Sequence, residues 1–192
     1  MKTMLEHLRV SLIATVLLTV LLCGAYPLVV WGISQVLFSD QANGSLVTRK
    51  GVIVGSSLIG QNFAGPQYFH PRPSAAGNGY DGAASSGTNL GPLSQKLLDA
   101  VKDRVAAYRN ENGLPDQVLV PADAVTSSAS GLDPHISPRN AELQVARVAA
   151  SRGVSEAAVR QLVKNHTEGP DWGLFGEPRV NVLMLNLELD TR

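Results

Sequence analysis

Residues 10–32 read VSLIATVLLTVLLCGAYPLVVWG, and the run without a charged side chain continues from Val10 to Ser39. An α-helix rises about 1.5 Å per residue, so about 20 apolar residues cross roughly 30 Å of hydrocarbon. This stretch is long enough for that crossing, and no core helix of a soluble domain needs so long an uncharged run. The sequence therefore predicts one transmembrane helix near the N-terminus.

Pro27 lies inside the predicted span. Proline breaks helices in water, but in lipid the freed carbonyl is satisfied by a hydroxyl or a neighbouring helix, so we expect a kink rather than an end. A cleaved secretory signal is the competing interpretation, although such a signal has an apolar segment of only about 7–15 residues. A lipoprotein signal fits poorly because Leu22, not a small residue, precedes Cys23. The pattern favours an uncleaved anchor.

The two flanks of the span predict its orientation. Lys2 and Arg9 precede it, whereas the following flank opens with Asp40 and has no basic residue before Arg49. Because basic flanks stay in the cytoplasm, we expect a cytoplasmic N-terminus over residues 1–9 and a helix over residues 10–34 in the bacterial inner membrane. Residues 35–192 then form an exported, periplasmic domain. Its fold has no disulfide, since the only cysteine is in the span.

The charge balance excludes one class of partner. Of the 16 basic and 16 acidic residues, only Lys2, Arg9, Glu6 and Asp40 lie within residues 1–40, so 14 of each sign remain in residues 41–192 and they balance. A neutral domain has no net field to attract nucleic acid. We therefore expect no nucleic-acid partner.

Residues 64–89 read AGPQYFHPRPSAAGNGYDGAASSGTN and show neither a helical nor a strand period. A loop of this length in a compact domain is usually functional or disordered. Tyr68, Phe69, Arg72 and Tyr80 argue against plain disorder, because aromatic and arginine side chains are the usual anchors of buried contacts. The loop is therefore predicted to be ordered.

The rest of the domain alternates between strand and helix signals. Two β-branched runs around Arg49-Lys50 predict a hairpin, and apolar residues at helical spacing predict helices over 92–111, from Ser137-Pro138 to Gly153, and from Ser155 to about Asn165. Residues 117–120 read as a short strand, and the alternation of residues 181–189 reads as a second strand. The fold class is a single N-terminal transmembrane helix followed by a mixed α/β exported domain.

The usual catalytic signatures are missing from the sequence, which has no nucleophile elbow, phosphate loop, zinc helix or paired cysteines. Ser130, Asp133 and His135 are residue types of a hydrolytic triad, but they are too close in sequence to form its relay. We read residues 130–138 as a rigid turn in which glycine permits positive φ and Asp133 closes an Asx-turn. The separate histidines at 70, 135 and 166 lack metal-ligand spacing. Glu177 and Arg179 are read as a surface pair.

Several blocks of the chain, in the same order, resemble the C subunit of the bacterial Kdp potassium-transporting P-type ATPase, the KdpC family. They are Tyr26-Pro27, 41–45, 55–63, 68–75, 85–90, 125–138, 147–149, 180–182 and Asn186-Leu187. The resemblance implies a complex with a channel-like potassium-binding A subunit, a P-type ATPase B subunit and a small F subunit. It implies that ATP is hydrolysed by the B subunit, and that this chain has no catalytic residue and no metal.

The family resemblance also implies a catalytic chaperone that raises the ATP affinity of the B subunit. The Ser130-Gly131 loop is somewhat similar to the signature loop of ATP-binding cassettes, yet the expected topology places it outside, away from cytoplasmic ATP. No cofactor is therefore assigned to this chain. Two other classes stay open: an anchored exported serine hydrolase using Ser130 or Ser137, and a stand-alone tethered binding protein.

Two sets of residues are candidate partner interfaces. Thr15 and Thr19 stand in a stripe of small or hydroxyl-bearing residues that lets helices approach closely in lipid. The exported set lies in irregular backbone, where no helix or strand face accounts for its side chains. It consists of Phe69, Arg72, Tyr80, Ser130, Gly131, Asp133 and His135.

Overall fold

The computed structural model of the protein describes residues 2–191, and the chain divides into two compact units after Leu46. The first unit is helical. Helix α1 covers Lys2–Thr19, a π-helical stretch covers Val20–Ala25, α2 covers Tyr26–Leu37, and a short α3 covers Ser39–Ala42. Together, Thr3–Leu37 form 35 residues of helix that are long and apolar enough to cross a membrane.

The helix continues through Pro27, as predicted. Proline has no N–H to donate and its ring collides with the carbonyl one turn earlier, so the turn before it must widen. The π-helical stretch Val20–Ala25 ends two residues before Pro27 and accommodates this widening. Cys23 in this stretch is a free thiol.

The second unit begins with the predicted hairpin. Strands β1 (Leu46–Arg49) and β2 (Val52–Ser56) pair, and the turn between them is Lys50-Gly51, both with positive φ. Positive φ at both central residues is the geometry that matches strand twist in a two-residue hairpin. The long loop follows, and helix α4 then covers Gln95–Glu111. The predicted helix is present but starts three residues later than expected, because Pro92 lies in a turn closed from Ser94 N to Gly91 O.

A small sheet and three of the four remaining helices build the core, to which the short helix at Ala122–Val125 contributes no residue. Helix α5 covers Ala122–Val125, β3 His135–Ile136, α6 Pro138–Arg152, α7 Glu156–Asn165, β4 Thr167–Glu168, β5 Arg179–Asn181 and α8 Val182–Leu189. The sheet order is β3-β5-β4, antiparallel, with Ile136 and Thr167 both opposite Val180. The mixed α/β prediction is confirmed. The buried core includes Phe69, Ile136, Val145, Val148, Val159, Val180 and Leu185.

Local capping signals explain the boundaries of α6 and α7. The Ser137 side chain accepts a hydrogen bond from Asn140 N, Pro138 takes the first turn, and Gly153 closes α6 with φ of 66°. Ser155 caps α7 by accepting from Ala158 N. Each cap satisfies an otherwise unpaired helix-end group, so both predicted helices are confirmed.

Two predicted strands are wrong. Residues 117 and 118 lie in a turn closed from Val118 N to Pro115 O, and residues 119–120 are irregular, because the flanking prolines cannot donate to a ladder. Residues 182–189 form α8 instead of a strand, and the Asn181 side chain caps it by accepting from Met184 N. The buried residues of α8 are Val182, Leu183, Leu185, Asn186 and Leu189, which form one helical face. Leucine at every second position is compatible with a strand and also with a buried helix. The Asn181 cap is the local feature that distinguishes the helix from the strand.

Candidate functional site

Residues 66–70 form an irregular segment whose five consecutive carbonyls are all bonded by side chains from the core helices. We call this the anchored segment. It contains Phe69, which is fully buried, and it has no strand partner of its own. The bonds run from Arg147 to Pro66 O and Tyr68 O, from Arg152 to Gln67 O, from Asn186 to Phe69 O, and from Gln144 to His70 O.

Two amide side chains each hold both backbone groups of one loop residue. Asn186 Oδ1 accepts from Phe69 N at 2.8 Å, and its Nδ2 donates to Phe69 O at 2.9 Å. Gln144 Oε1 accepts from His70 N at 2.7 Å, and its Nε2 donates to His70 O at 3.1 Å. Both amides are 1% exposed. Each replaces the neighbouring strand that buried backbone normally requires, so the loop is fixed without secondary structure.

Two arginines complete the anchoring. Arg147 uses Nε for Asn112 Oδ1 at 2.9 Å and Nη2 for Gln144 Oε1 at 2.7 Å, in addition to its two carbonyl contacts. Burial lowers the pKa of the Arg147 guanidinium from its ordinary value, and Glu111 and Tyr108 oppose that shift. Arg152 lies 5.1 Å from the centre of the Tyr68 ring and bonds Asp190 at 2.8 Å. The planar fork of arginine suits this simultaneous contact with several oxygens.

A second cluster lies beside the anchored segment around Asp133. Arg72 donates to Asp133 Oδ2 at 2.7 Å, His135 N donates to Oδ1 at 3.0 Å, and His135 Nδ1 is 3.5 Å from Oδ1. Burial raises the pKa of the Asp133 carboxyl, but the hydrogen bonds from His135 and Arg72 outweigh it and hold the pKa below its ordinary value. The Tyr80 hydroxyl donates to Arg72 O, and burial raises the pKa of that phenol. The predicted Asx-turn at Asp133 is confirmed.

The loop encloses the Ser130-Gly131 turn. Ser74 Oγ donates to Gly131 O at 2.6 Å, while Ser86 N and Ser85 Oγ both donate to Ser130 O at 3.0 Å. Gly131 has φ of 68°, and a Cβ there would lie 2.5 Å from Ser86 O. Only glycine fits both the positive φ and the close approach. The turn is therefore held on several sides by the loop.

The two serines of the hydrolase alternative have structural contacts. Ser130 Oγ accepts from Leu132 N at 3.1 Å. Ser137 Oγ donates to Asp123 Oδ1 at 3.0 Å and accepts from Asn140 N at 3.1 Å. These bonds shape turns and cap a helix, which is the ordinary use of serine at such positions.

Open grooves border the two clusters. One has a volume of about 400 Å³ and is lined by His70, Arg72 and Tyr80 from the loop and by Tyr108 and Glu111 from α4. Another, of about 450 Å³, is lined by Arg72, Asp133 and His135 among others. Arg72 lies between the two grooves, and its Nε is buried with no hydrogen-bond partner among residues 2–191.

The structure brings together the residues of the predicted exported interface, but not all of them face the surface. Arg72, Tyr80, Asp133 and His135 line the grooves, and the Ser130-Gly131 turn packs against the same loop. Phe69 is fully buried in the core of its own unit, so it anchors the loop from within. Thr15 and Thr19 belong to the helical unit, where their side chains are exposed. Within the described part of the chain, no three His, Cys, Asp or Glu side chains form a metal-ligand group.

Sequence reasoning gave no role to the residues that hold the loop: Gln144, Arg147, Arg152 and Asn186. A signal was present in α6, where Asn140 and Gln144 stand four residues apart in the same stripe as the buried apolar residues. Polar residues on a buried helical face need partners. Gln144 bonds the loop backbone at His70, whereas Asn140 bonds the side chains of Tyr108, Asp123 and Gln144. The second signal is Asn186 on the buried face of α8, which the strand interpretation concealed.

Comparison with known proteins gives one family. A family profile described as "KdpC: K+-transporting ATPase, c chain" matches residues 8–191. A protein of Koribacter versatilis is 57% identical over 188 residues, covering 97% of this chain and 95% of the relative. A protein of Mycobacterium bovis is 54% identical over 187 residues, covering 97% and 99%. A protein of Caulobacter vibrioides is 55% identical over 190 residues, covering 98% and 95%. Each is named potassium-transporting ATPase KdpC subunit.

Proposed function

This chain belongs to the KdpC family of potassium-transporting ATPase subunits, and we propose that its folded unit is a non-catalytic docking body for another subunit of that complex. The resemblance seen in the sequence is confirmed by the family match. The proposed surface consists of Arg72, Tyr80 and His135, together with the exposed Ser130; Gly131, also predicted for this surface, is buried under the loop and supports it from within. We call it the loop surface.

The anchored segment is the observation that carries this proposal. Its five carbonyls are held by side chains, so the neighbouring loop surface is already in one conformation before any partner arrives. A preorganised surface avoids the entropy cost of ordering a loop on binding. Arginine and tyrosine beside open grooves are also the residue types that dominate interface energies.

The bonding of the candidate nucleophiles supports a non-catalytic role. Ser130 and Ser137 hold backbone groups, and the Asp133 carboxylate is bonded by Arg72 and His135 N. A serine nucleophile instead needs a base that is free to take its proton. The carboxylate that Ser137 bonds, Asp123, also accepts from Ser137 N and Asn140 Nδ2, so it fixes the helix cap. On this proposal ATP is hydrolysed by a partner subunit, and the chain acts on hydrolysis through contact with that subunit. Raised ATP affinity in the partner would then be a consequence of docking.

We further propose that residues 10–34 cross the inner membrane, with residues 1–9 in the cytoplasm and residues 35–192 outside. The candidate span Thr3–Leu37 and the basic residues Lys2 and Arg9 before it support this topology. The test is labelling of Ala83→Cys in a Cys23→Ser background with a membrane-impermeant maleimide. Ala83 is exposed, so it should react in intact spheroplasts. Labelling only after lysis would contradict this topology and place residue 83 in the cytoplasm.

The loop surface is tested by replacing His135 with Gln and Arg72 with Lys in the co-expressed complex. Both replacements are polar, so the chain should still fold. They should reduce co-purification of the chain with the complex or the potassium-stimulated ATPase activity of the complex. The matched control is Arg160→Lys, whose guanidinium pairs with Glu142 and Glu156 on the surface of α6 and α7. Unchanged assembly and unchanged potassium affinity in the double variant would reject this surface.

A further inference from the structure

Residues 171–175 form an apolar tip that shares no residue with the loop surface, although Arg179 at its base lines the same groove as Arg72 and His135. The sequence reads Asp171-Trp-Gly-Leu-Phe175, and Trp172, Leu174 and Phe175 are 92%, 82% and 61% exposed. Two aromatic side chains and a leucine present apolar area on the order of 400 Å². A contiguous apolar patch of this size on a protein surface commonly marks an interaction site.

The tip has a defined backbone. Asp171 N donates to Phe175 O at 2.7 Å, Phe175 N donates to Asp171 O at 3.0 Å, and Leu174 N donates to Asp171 O at 3.2 Å. The central residues Trp172 and Gly173 have φ of 54° and 75°, as a type I′ turn requires. The Trp172 and Phe175 rings lie edge to face, 6.1 Å apart.

Trp172 is a poor residue for its backbone position. A bulky side chain with positive φ is uncommon and strained, and asparagine or glycine is the usual choice in such a turn. Trp172 gains little packing in return, because it is almost fully exposed within its unit. The side chain therefore contributes little to the packing of its unit.

The charges around the tip indicate the chemistry of a partner that would fit it. Arg179 bonds Asp171 at 3.0 Å and Glu168 at 3.2 Å, and Glu177 is exposed nearby in sequence. Three carboxylates against one guanidinium leave the base of the tip acidic. Arg179 also holds the pKa of Asp171 below its ordinary value, so this carboxylate stays charged.

We propose that the tip inserts into an apolar pocket with a basic rim on another subunit of the ATPase. This inference rests on membership of the complex, and it adds a contact made by residues outside the loop surface. A lipid surface is the other occupant with apolar chemistry, but anionic headgroups attract basic segments, and this tip has an acidic base. A protein pocket with a basic rim satisfies both the rings and the carboxylates.

The direct test places the photoreactive residue p-benzoylphenylalanine at position 172 of the full chain, in membranes that contain the complex. Position 119 is the matched control, because Leu119 is also 82% exposed. Illumination should give an adduct with another ATPase subunit, identified by mass spectrometry, from position 172 and not from position 119. An adduct with lipid only, no adduct, or equal adducts from both positions would overturn the proposal.

A second variant separates docking from folding. Trp172→Asn creates an Asn-Gly turn, the preferred sequence for this geometry, so the melting temperature should not fall. Loss of a central aromatic anchor should weaken retention of the chain in the detergent-solubilised complex about 30-fold, the scale of an interface hot spot. Unchanged retention in this variant, when the unaltered chain co-purifies, would reject the tip alone. Failure of the unaltered chain to co-purify would reject the proposed function itself.

Discussion

Replacing Asn186 with Leu should strongly destabilise the second unit. Leucine has the same branching and the same number of side-chain heavy atoms, so it leaves no cavity, but it can neither accept from Phe69 N nor donate to Phe69 O. Each buried backbone group left without a partner costs about 1–3 kcal/mol. Two such groups should lower the free energy of unfolding by about 4 kcal/mol, and the melting temperature by about 10 °C for a unit of this size.

The assay is thermal unfolding of the detergent-solubilised full chain, with Asn110→Leu as the control. Asn110 is an exposed residue of α4, so its replacement should change stability by no more than about 0.5 kcal/mol. The same loss should release the anchored segment and weaken assembly of the complex. If Asn186→Leu melts within about 2 °C of the control, the paired hydrogen bonds do not stabilise the loop, and the argument for a preorganised surface fails.

Three further predictions follow from the same contacts. Gly131→Ala should destabilise by more than about 2 kcal/mol, whereas Gly153→Ala, at φ of 66° with open space around it, should cost only about 1 kcal/mol in the same melt. Asp133 has a folded pKa below its ordinary 3.8, so it stabilises the fold above about pH 4, and that contribution is lost as the pH falls through the folded pKa. Unfolding measured from about pH 6 downward should therefore show a weaker acid dependence in Asp133→Asn than in the unaltered chain. Replacing Thr15 and Thr19 with Leu should weaken assembly of the complex but leave membrane insertion intact. Full assembly of that variant on native gels would show that these two residues make no helix–helix contact that assembly needs.

Features set by nearby residues were predictable, and those set by distant residues were not. The caps at Ser137 and Ser155 and the stop at Gly153 act within a few residues, so α6 and α7 were correctly predicted. The error at α8 has the same origin, because alternating leucines fit a strand as well as a buried helix. The anchored segment depends on partners 74 and 117 residues away, which no local pattern can reveal.

The candidate site was recognised from composition, not from its contacts. The loop's Phe69, Arg72 and Tyr80 indicated order, and the structure brings Arg72 and Tyr80 into one groove. The sequence could not show which of these side chains face the core and which face the groove. Phe69 and Arg72 are three residues apart in irregular backbone, where neither helical nor strand periodicity assigns a face.

The buried amides explain why an irregular loop is kept inside this fold. A regular strand at residues 66–70 would have satisfied its own backbone with a neighbour, without buried polar side chains. Here the amides of Gln144 and Asn186 are desolvated instead. Each amide recovers its hydrogen bonds only while the loop backbone keeps this one conformation. Such an arrangement stabilises one irregular conformation and no other. Stability alone does not require a single irregular loop conformation. A surface that must fit another subunit does require one, and this is the physical argument for placing the contact at the loop.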